Sequence, residues 1–277
     1  MSVRSASAPD LAAQGPHESA PEVLLEKALR RERAAVVSAL LLIVLASWAY
    51  LWSGAGTMED MGGMLMPMSS GPWTPGHALV MLAMWMVMMA AMMLPSAAPM
   101  ILLFTTIARR RRAAGGPSGS PWVFSAGYLA TWAVFSVGAV ALQFALERAA
   151  LLSPMMETTS VALAGALFVG AGLYQWTPLK QSCLRRCRSP LEFVLTHWRE
   201  GSRGAFAMGV RHGLYCVGCC AVLMLLLFAG GIMNLLWIAG LALFVLAEKL
   251  APWGSWIGRA AGAGLVAWGI ATLVAAV

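Results

Sequence analysis

The side chains best able to do chemistry are the cysteines, and all five fall in one 38-residue stretch. Cys183 and Cys187 stand in Gln181-Ser-Cys-Leu-Arg-Arg-Cys-Arg; Cys216, Cys219 and Cys220 follow in Arg211-His-Gly-Leu-Tyr-Cys-Val-Gly-Cys-Cys. Spacings of three and four residues put side chains on one face of a helix, so each group converges on a stripe, with His212 one turn before Cys216. Thiolates are soft donors that select Cu(I), Zn(II) or iron–sulfur clusters, and sets of two or three thiolates suit Cu(I). Zinc is the alternative at a mixed Cys/His set. Arg185, Arg186, Arg188 and Arg211 are expected to lower the thiol pKa values and favour the thiolate. Two other readings stay open: thiol–disulfide exchange between Cys183/Cys187 and a second pair, and plain packing of small polarizable side chains beside Gly218.

Methionine is the second soft donor. Met58, Met61, Met64, Met66 and Met68 occupy eleven residues, beside Glu59, Asp60 and, further on, His77. A thioether carries no proton and binds Cu(I) by softness, which suits an oxidising compartment where thiols are lost. A second group, with Met84, Met88 and Met92 on one helical stripe and Met86, Met89 and Met93 on another, continues to Met100. Such a stripe is either a ladder of soft ligands or ordinary helix packing. Pro95 and Pro99 interrupt it, removing two backbone donors, and predict a kink with freed carbonyls.

These donors need an apolar scaffold. Of 277 residues, 60% are hydrophobic and 11% charged, against about a quarter charged in soluble domains. Apolar runs long enough for the ~30 Å hydrocarbon layer occur at 34–53, 78–107, 122–146, 160–176, 212–229, 232–247 and 257–277. The fold predicted is an all-α, polytopic transmembrane helical bundle of about seven helices, with Gly230 and Gly231 as the tight turn between the fifth and sixth. The net charge of +7 lies in short stretches between apolar runs, which argues for topology rather than nucleic acid. A cytoplasmic N-terminus puts 18 of the 19 basic residues inside and only Arg148 outside. The loop after the first helix is then extracytoplasmic and the Cys183/Cys187 segment cytoplasmic, in a bacterial inner membrane. Residues 1–33 read as a polar, disordered cytoplasmic tail, with 21–33 suited to a surface helix; 34–277 form the transmembrane domain. Glu248 is expected to pair with Lys249 or Arg211 as a structural group.

Several uncommon blocks recur in fixed order: Met84-Trp-Met-Val-Met-Met-Ala-Ala-Met-Met-Leu-Pro-Ser, Pro99-Met100, Tyr174-Gln-Trp-Thr-Pro-Leu-Lys with Cys183 and Cys187, and His197-Trp-Arg. They continue through Gly209, His212-Gly, Cys216, Gly218-Cys-Cys, Met233-Asn-Leu and Glu248-Lys249. In these the chain resembles the bacterial domain-of-unknown-function family of predicted metal-binding integral membrane proteins, some members of which are labelled copper chaperones. The likeness spans about 77–250, leaving out the polar tail and the seventh helix, and implies a soft-metal role without a defined reaction. The expectation is a copper chaperone or transporter, with the bilayer and a metalloenzyme or soluble copper chaperone as partners. Cu(I) passes between the Met58/Met61/Met64 loop, the Met84/Met88/Met92 stripe and the Cys216/Cys219/Cys220/His212 cluster, with Cys183 and Cys187 as a docking pair. The chain has no ATP-binding loop, so transport would be passive, ion-coupled or partner-dependent. A membrane thiol–disulfide oxidoreductase and a non-catalytic assembly subunit are the rivals.

Overall fold

A computed structural model describes residues 20–55, 58–60, 65–67, 73–153 and 156–275. Met61 and Met64 lie outside the described residues, and of Met58 only the backbone is described. The helices are α1 (Ala20–Trp52), α2 (Pro75–Ala113), α3 (Pro121–Arg148), α4 (Val161–Tyr174), α5 (Pro178–Arg188), α6 (Pro190–His197), α7 (Gly201–Met224), α8 (Leu227–Gly230), α9 (Leu235–Leu250) and α10 (Gly254–Val274). Between α1 and α2, β1 (Met58–Asp60) and β2 (Leu65–Pro67) pair antiparallel, with Glu59 opposite Met66.

Local chemistry explains where the helices begin. Thr74, Ser120, Ser160, Thr177 and Asn234 each accept a hydrogen bond from a backbone N–H of the first turn, and Pro75, Pro121 and Pro178 occupy first-turn positions whose N–H would otherwise be unsatisfied. Between α8 and α9 the chain reverses at Gly231, whose φ of 91° is open to glycine and strained for other residues.

The segments Arg30–Trp52, Pro75–Ala113, Pro121–Arg148, Gly201–Gly230 and Gly254–Val274 are long and apolar enough to cross a membrane. The other two apolar stretches are shorter: α4 has 14 residues and α9 has 16, or about 21 and 24 Å of helix. α4 compensates by packing along α10. The outward surface is apolar, with Leu236 86% exposed and Val134 74% exposed, the inverse of a water-soluble surface. The stretch that the sequence suits to a surface helix, 21–33, is helical and continuous with the first span; Glu32 there forms a 2.8 Å ion pair with Arg109.

α2 is the central helix. It runs unbroken through Pro95 and Pro99, and buries Met81, Met84, Met88, Met89, Met92, Met93 and Met100 while Met86 faces outward. Ser96 Oγ donates back to the Met93 carbonyl and Thr105 Oγ1 to that of Ile101, so these polar side chains are satisfied within the helix itself. α3 and α7 meet backbone to backbone: a Cβ at Gly209 would overlap the Phe124 carbonyl, so only glycine permits this approach.

Candidate metal centre

The 174–188 segment contains α5 and folds inward against α7, with Cys183 and Cys187 on a helix as their spacing predicts. Tyr174 donates from its hydroxyl to the Gly218 carbonyl. Lys180, fully buried, lies 2.8 Å from one Glu248 oxygen and 2.9 Å from the other. Arg188 donates to the Ala251 and Pro252 carbonyls, tying the end of α5 to the end of α9. Glu248 therefore pairs with Lys180, not with Lys249 or Arg211 as its sequence position suggested. Consecutive helical residues point about 100° apart, so Glu248 and Lys249 face different neighbours.

Seated this way, α5 adds its thiols to those of α7. Gly218 makes the room, since a Cβ there would lie 2.6 Å from Cys183 Sγ. Cys187 Sγ is 3.9 Å from Cys219 Sγ, which is 3.2 Å from Cys220 Sγ, and the Cys219 thiol donates to the Cys216 carbonyl at 3.2 Å. All five cysteines are free thiols. The two cysteine groups thus meet at one helix interface. Burial pushes the Cys183 thiol up from its ordinary value, outweighing the opposite pull of Arg186, so the arginines do not produce the expected depression at this cysteine.

Cys216 adjoins the Cys219 and Cys220 thiols and also reaches into the bundle. Its sulfur lies 2.9 Å from Lys249 Nζ and 3.1 Å from the Tyr128 hydroxyl. Lys249 also donates to Ser96 Oγ at 2.9 Å, and Tyr128 to the Met93 carbonyl at 3.2 Å. An ammonium inside an apolar bundle is held only at considerable desolvation cost, and a cluster of anionic thiolates would compensate it. Sequence reasoning missed Lys249 and Tyr128, because a Lys at the end of an apolar run reads as an interfacial side chain reaching outward.

His212 is buried, but its ring packs among Phe124, Tyr128 and Phe193 at centroid distances of 6.2, 5.7 and 5.5 Å, and Nδ1 has no hydrogen-bond partner among the described residues. Met84, Met88 and Met92 are fully buried on α2. Among the described residues no three His, Cys, Asp or Glu side chains stand ready-made around a metal ion. The nearest fit is a low-coordinate ion. Sulfur–metal bonds of about 2.3 Å set two linear thiolates about 4.6 Å apart, so Cys187 and Cys219 at 3.9 Å would need to open by roughly 0.7 Å.

A family model for PpoB2, described as a copper chaperone, matches residues 82–272. The chain belongs to this copper chaperone family. The PpoB2 match includes α10 almost to its end, so the seventh helix is part of the family core, contrary to the narrower span of 77–250 read from motifs. It also takes in every cysteine, Lys249 and the α2 methionines from Met84 onward. Comparisons with curated proteins and with solved structures returned no match.

Proposed function

We propose that the chain handles copper in the bacterial inner membrane, as a chaperone or transporter that holds Cu(I) on Cys187, Cys216, Cys219 and Cys220, with Cys183 closing the site. The convergence of these thiols from α5 and α7 beneath the Lys249 ammonium carries the reading. Cu(I) bound by two thiolates is a monoanion, and a buried ammonium offsets that charge where water cannot. The positive-inside rule makes the end bearing Arg109–Arg112 cytoplasmic, so the thiols remain reduced and the opposite end of the bundle, where α2 begins, is the outer one. The buried α2 methionines then supply soft, uncharged donors between the two. The chain is not an enzyme in this reading. A metalloenzyme or a soluble copper chaperone is the exchange partner.

Bound metal, measured by mass spectrometry on detergent-purified protein under reducing conditions, tests the assignment. Stoichiometric copper in the wild type and its loss from the Cys216→Ser/Cys219→Ser/Cys220→Ser variant supports the thiol site. Absence of metal from both after copper loading refutes it, and zinc in place of copper reassigns the cargo. The 3.9 Å between Cys187 and Cys219 favours one rival, thiol–disulfide exchange. That rival requires the pair to be oxidised in cells regardless of copper supply, which thiol labelling reads directly.

A further inference from the structure

Gln143 is a neutral polar side chain, wholly buried on α3 toward the end of the bundle opposite Arg109–Arg112. Its Oε1 accepts from Trp85 Nε1 at 2.9 Å, and its Nε2 donates to Glu147 Oε1 at 2.9 Å, which fixes the orientation of the amide. The other Glu147 oxygen accepts from Trp73 Nε1 at 2.6 Å. Two further atoms reach the same amide nitrogen, both thioether sulfurs: Met81 Sδ of α2 at 3.4 Å and Met156 Sδ of the α3–α4 connection at 3.5 Å.

Thioethers are weak hydrogen-bond acceptors, so these two contacts at 3.4 and 3.5 Å contribute little to holding the amide beside what the Glu147 and Trp85 bonds supply. Met156 adopts a left-handed φ of 58°, a conformation that costs a residue with a side chain of order 1 kcal/mol and is maintained only where its surroundings impose it. Here the backbone does: the Met156 N–H donates to the Ser153 carbonyl, and the Ile232 N–H donates to that of Met156. The connection is thus held in a strained turn whose effect is to aim one sulfur at a point already faced by another sulfur and a carboxylate.

We propose that Met81, Met156 and Glu147, gathered around the Gln143 amide, form a second soft-cation site that takes Cu(I). Two thioethers select a soft ion over Mg²⁺ or Ca²⁺, which require cages of oxygen donors. One carboxylate balances one positive charge, leaving the loaded site neutral inside the bundle. The Gln143 nitrogen marks where the ion sits; as the amide withdraws, the sulfurs close from about 3.5 Å to about 2.3 Å, the length of a metal–sulfur bond. Met156 and Glu147 are only partly buried, so the site opens at this end of the molecule. Below it the buried Met84, Met88 and Met92 continue the Met81 stripe to the level of Met93, whose carbonyl shares the Tyr128 hydroxyl with Cys216. Twelve residues separate Met81 from Met93, about 18 Å of helix. The site stands on this geometry alone; its meaning as a transfer station rests on the copper-handling reading above.

The test uses full-length protein in detergent, loaded with Cu(I) under reductant, in two backgrounds. In a variant with all five cysteines replaced by Ser, one Cu(I) per chain is retained against a chromogenic Cu(I) chelator, and its X-ray absorption shows sulfur together with oxygen or nitrogen neighbours. Adding Met81→Leu and Met156→Leu, near in volume but without sulfur, removes that ion, and Glu147→Gln weakens it at least tenfold. In the wild-type background, which guards against misfolding of the cysteine-free chain, the same methionine pair lowers the copper count by one and leaves thiol-bound copper in place. Copper binding that ignores the Met81/Met156 replacement in both backgrounds overturns the proposal. Loss of copper on cysteine replacement alone, with the methionine-dependent ion unchanged, bears on the thiol site only. The two assignments therefore fail separately.

Discussion

Replacing Lys249 by Leu removes the one ammonium that, among the described residues, touches the thiol cluster, and introduces neither charge nor a new soft ligand. Its nitrogen lies 2.9 Å from Cys216 Sγ, and a metal on that sulfur stands about 2.3 Å further, so ammonium and ion complex are about 5 Å apart. At an effective dielectric constant of about 20, unit opposite charges at about 5 Å attract by about 3 kcal/mol. A charge-assisted hydrogen bond is worth roughly 1.5–3 kcal/mol, the same range reached by another route. The Cu(I) affinity of Lys249→Leu is therefore expected to fall by a factor of about 30 to 150, equivalent to about 2–3 kcal/mol. Competition with a chromogenic Cu(I) chelator measures it, with thermal unfolding in detergent as the control for fold. Lys249→Arg restores charge with a wider, planar donor group and should recover part of the loss. An affinity for Lys249→Leu within about twofold of wild type, on a folded protein, would refute the view that this ammonium compensates the charge of a thiolate-bound ion.

Three further outcomes follow from the same interface. Glu248→Leu strands the buried Lys180 ammonium and should lower stability by about 3–5 kcal/mol, whereas Lys180→Met/Glu248→Leu together should recover most of it; chemical unfolding in detergent reads both. Gly218→Ala puts a methyl group 2.6 Å from Cys183 Sγ, so that side chain or α5 itself must shift; if α5 moves, the yield of a short bifunctional thiol cross-link between Cys187 and Cys219 drops several-fold, and an unchanged yield places the adjustment in the Cys183 side chain. Because burial raises the Cys183 thiol and Arg186 opposes that shift, alkylation of Cys183 should follow a pH profile displaced to the alkaline side of a free thiol, and Arg186→Ala should displace it further. A profile that moves toward acid in Arg186→Ala would contradict this account.

Much of the scaffold was legible because the bilayer imposes a simple rule. Seven apolar runs became α1–α4, α7, α9 and α10, and the i, i+3, i+4 spacing of Cys216, Cys219 and Cys220 did gather their sulfurs on α7. What stayed hidden were relations between residues far apart in the chain. An 11-residue segment with four basic residues reads as a cytoplasmic stretch between spans, yet α5 turns inward, where Lys180 meets Glu248, 68 positions later. His212 shares a helical stripe with the thiols by spacing, but three aromatic rings claim its side chain. Gln143 and Met156 carry no local pattern at all; their association with Met81 exists only once α2, α3 and the connection after α3 have packed.

The Lys180–Glu248 pair also fixes an order of events in the making of the protein. Helices enter the membrane as they leave the ribosome, so Lys180 of α5 is made before its counter-ion. Glu248 arrives only when α9 inserts, and Lys249, the partner of Cys216 and Ser96, arrives with it. Until that moment the buried Lys180 has no counter-charge, and α5 is held against α7 by contacts such as that of the Tyr174 hydroxyl with the Gly218 carbonyl. The pair cannot close before α9 is in place, so a chain truncated ahead of Glu248 carries all five cysteines but neither the counter-ion of Lys180 nor the Lys249 ammonium beside Cys216.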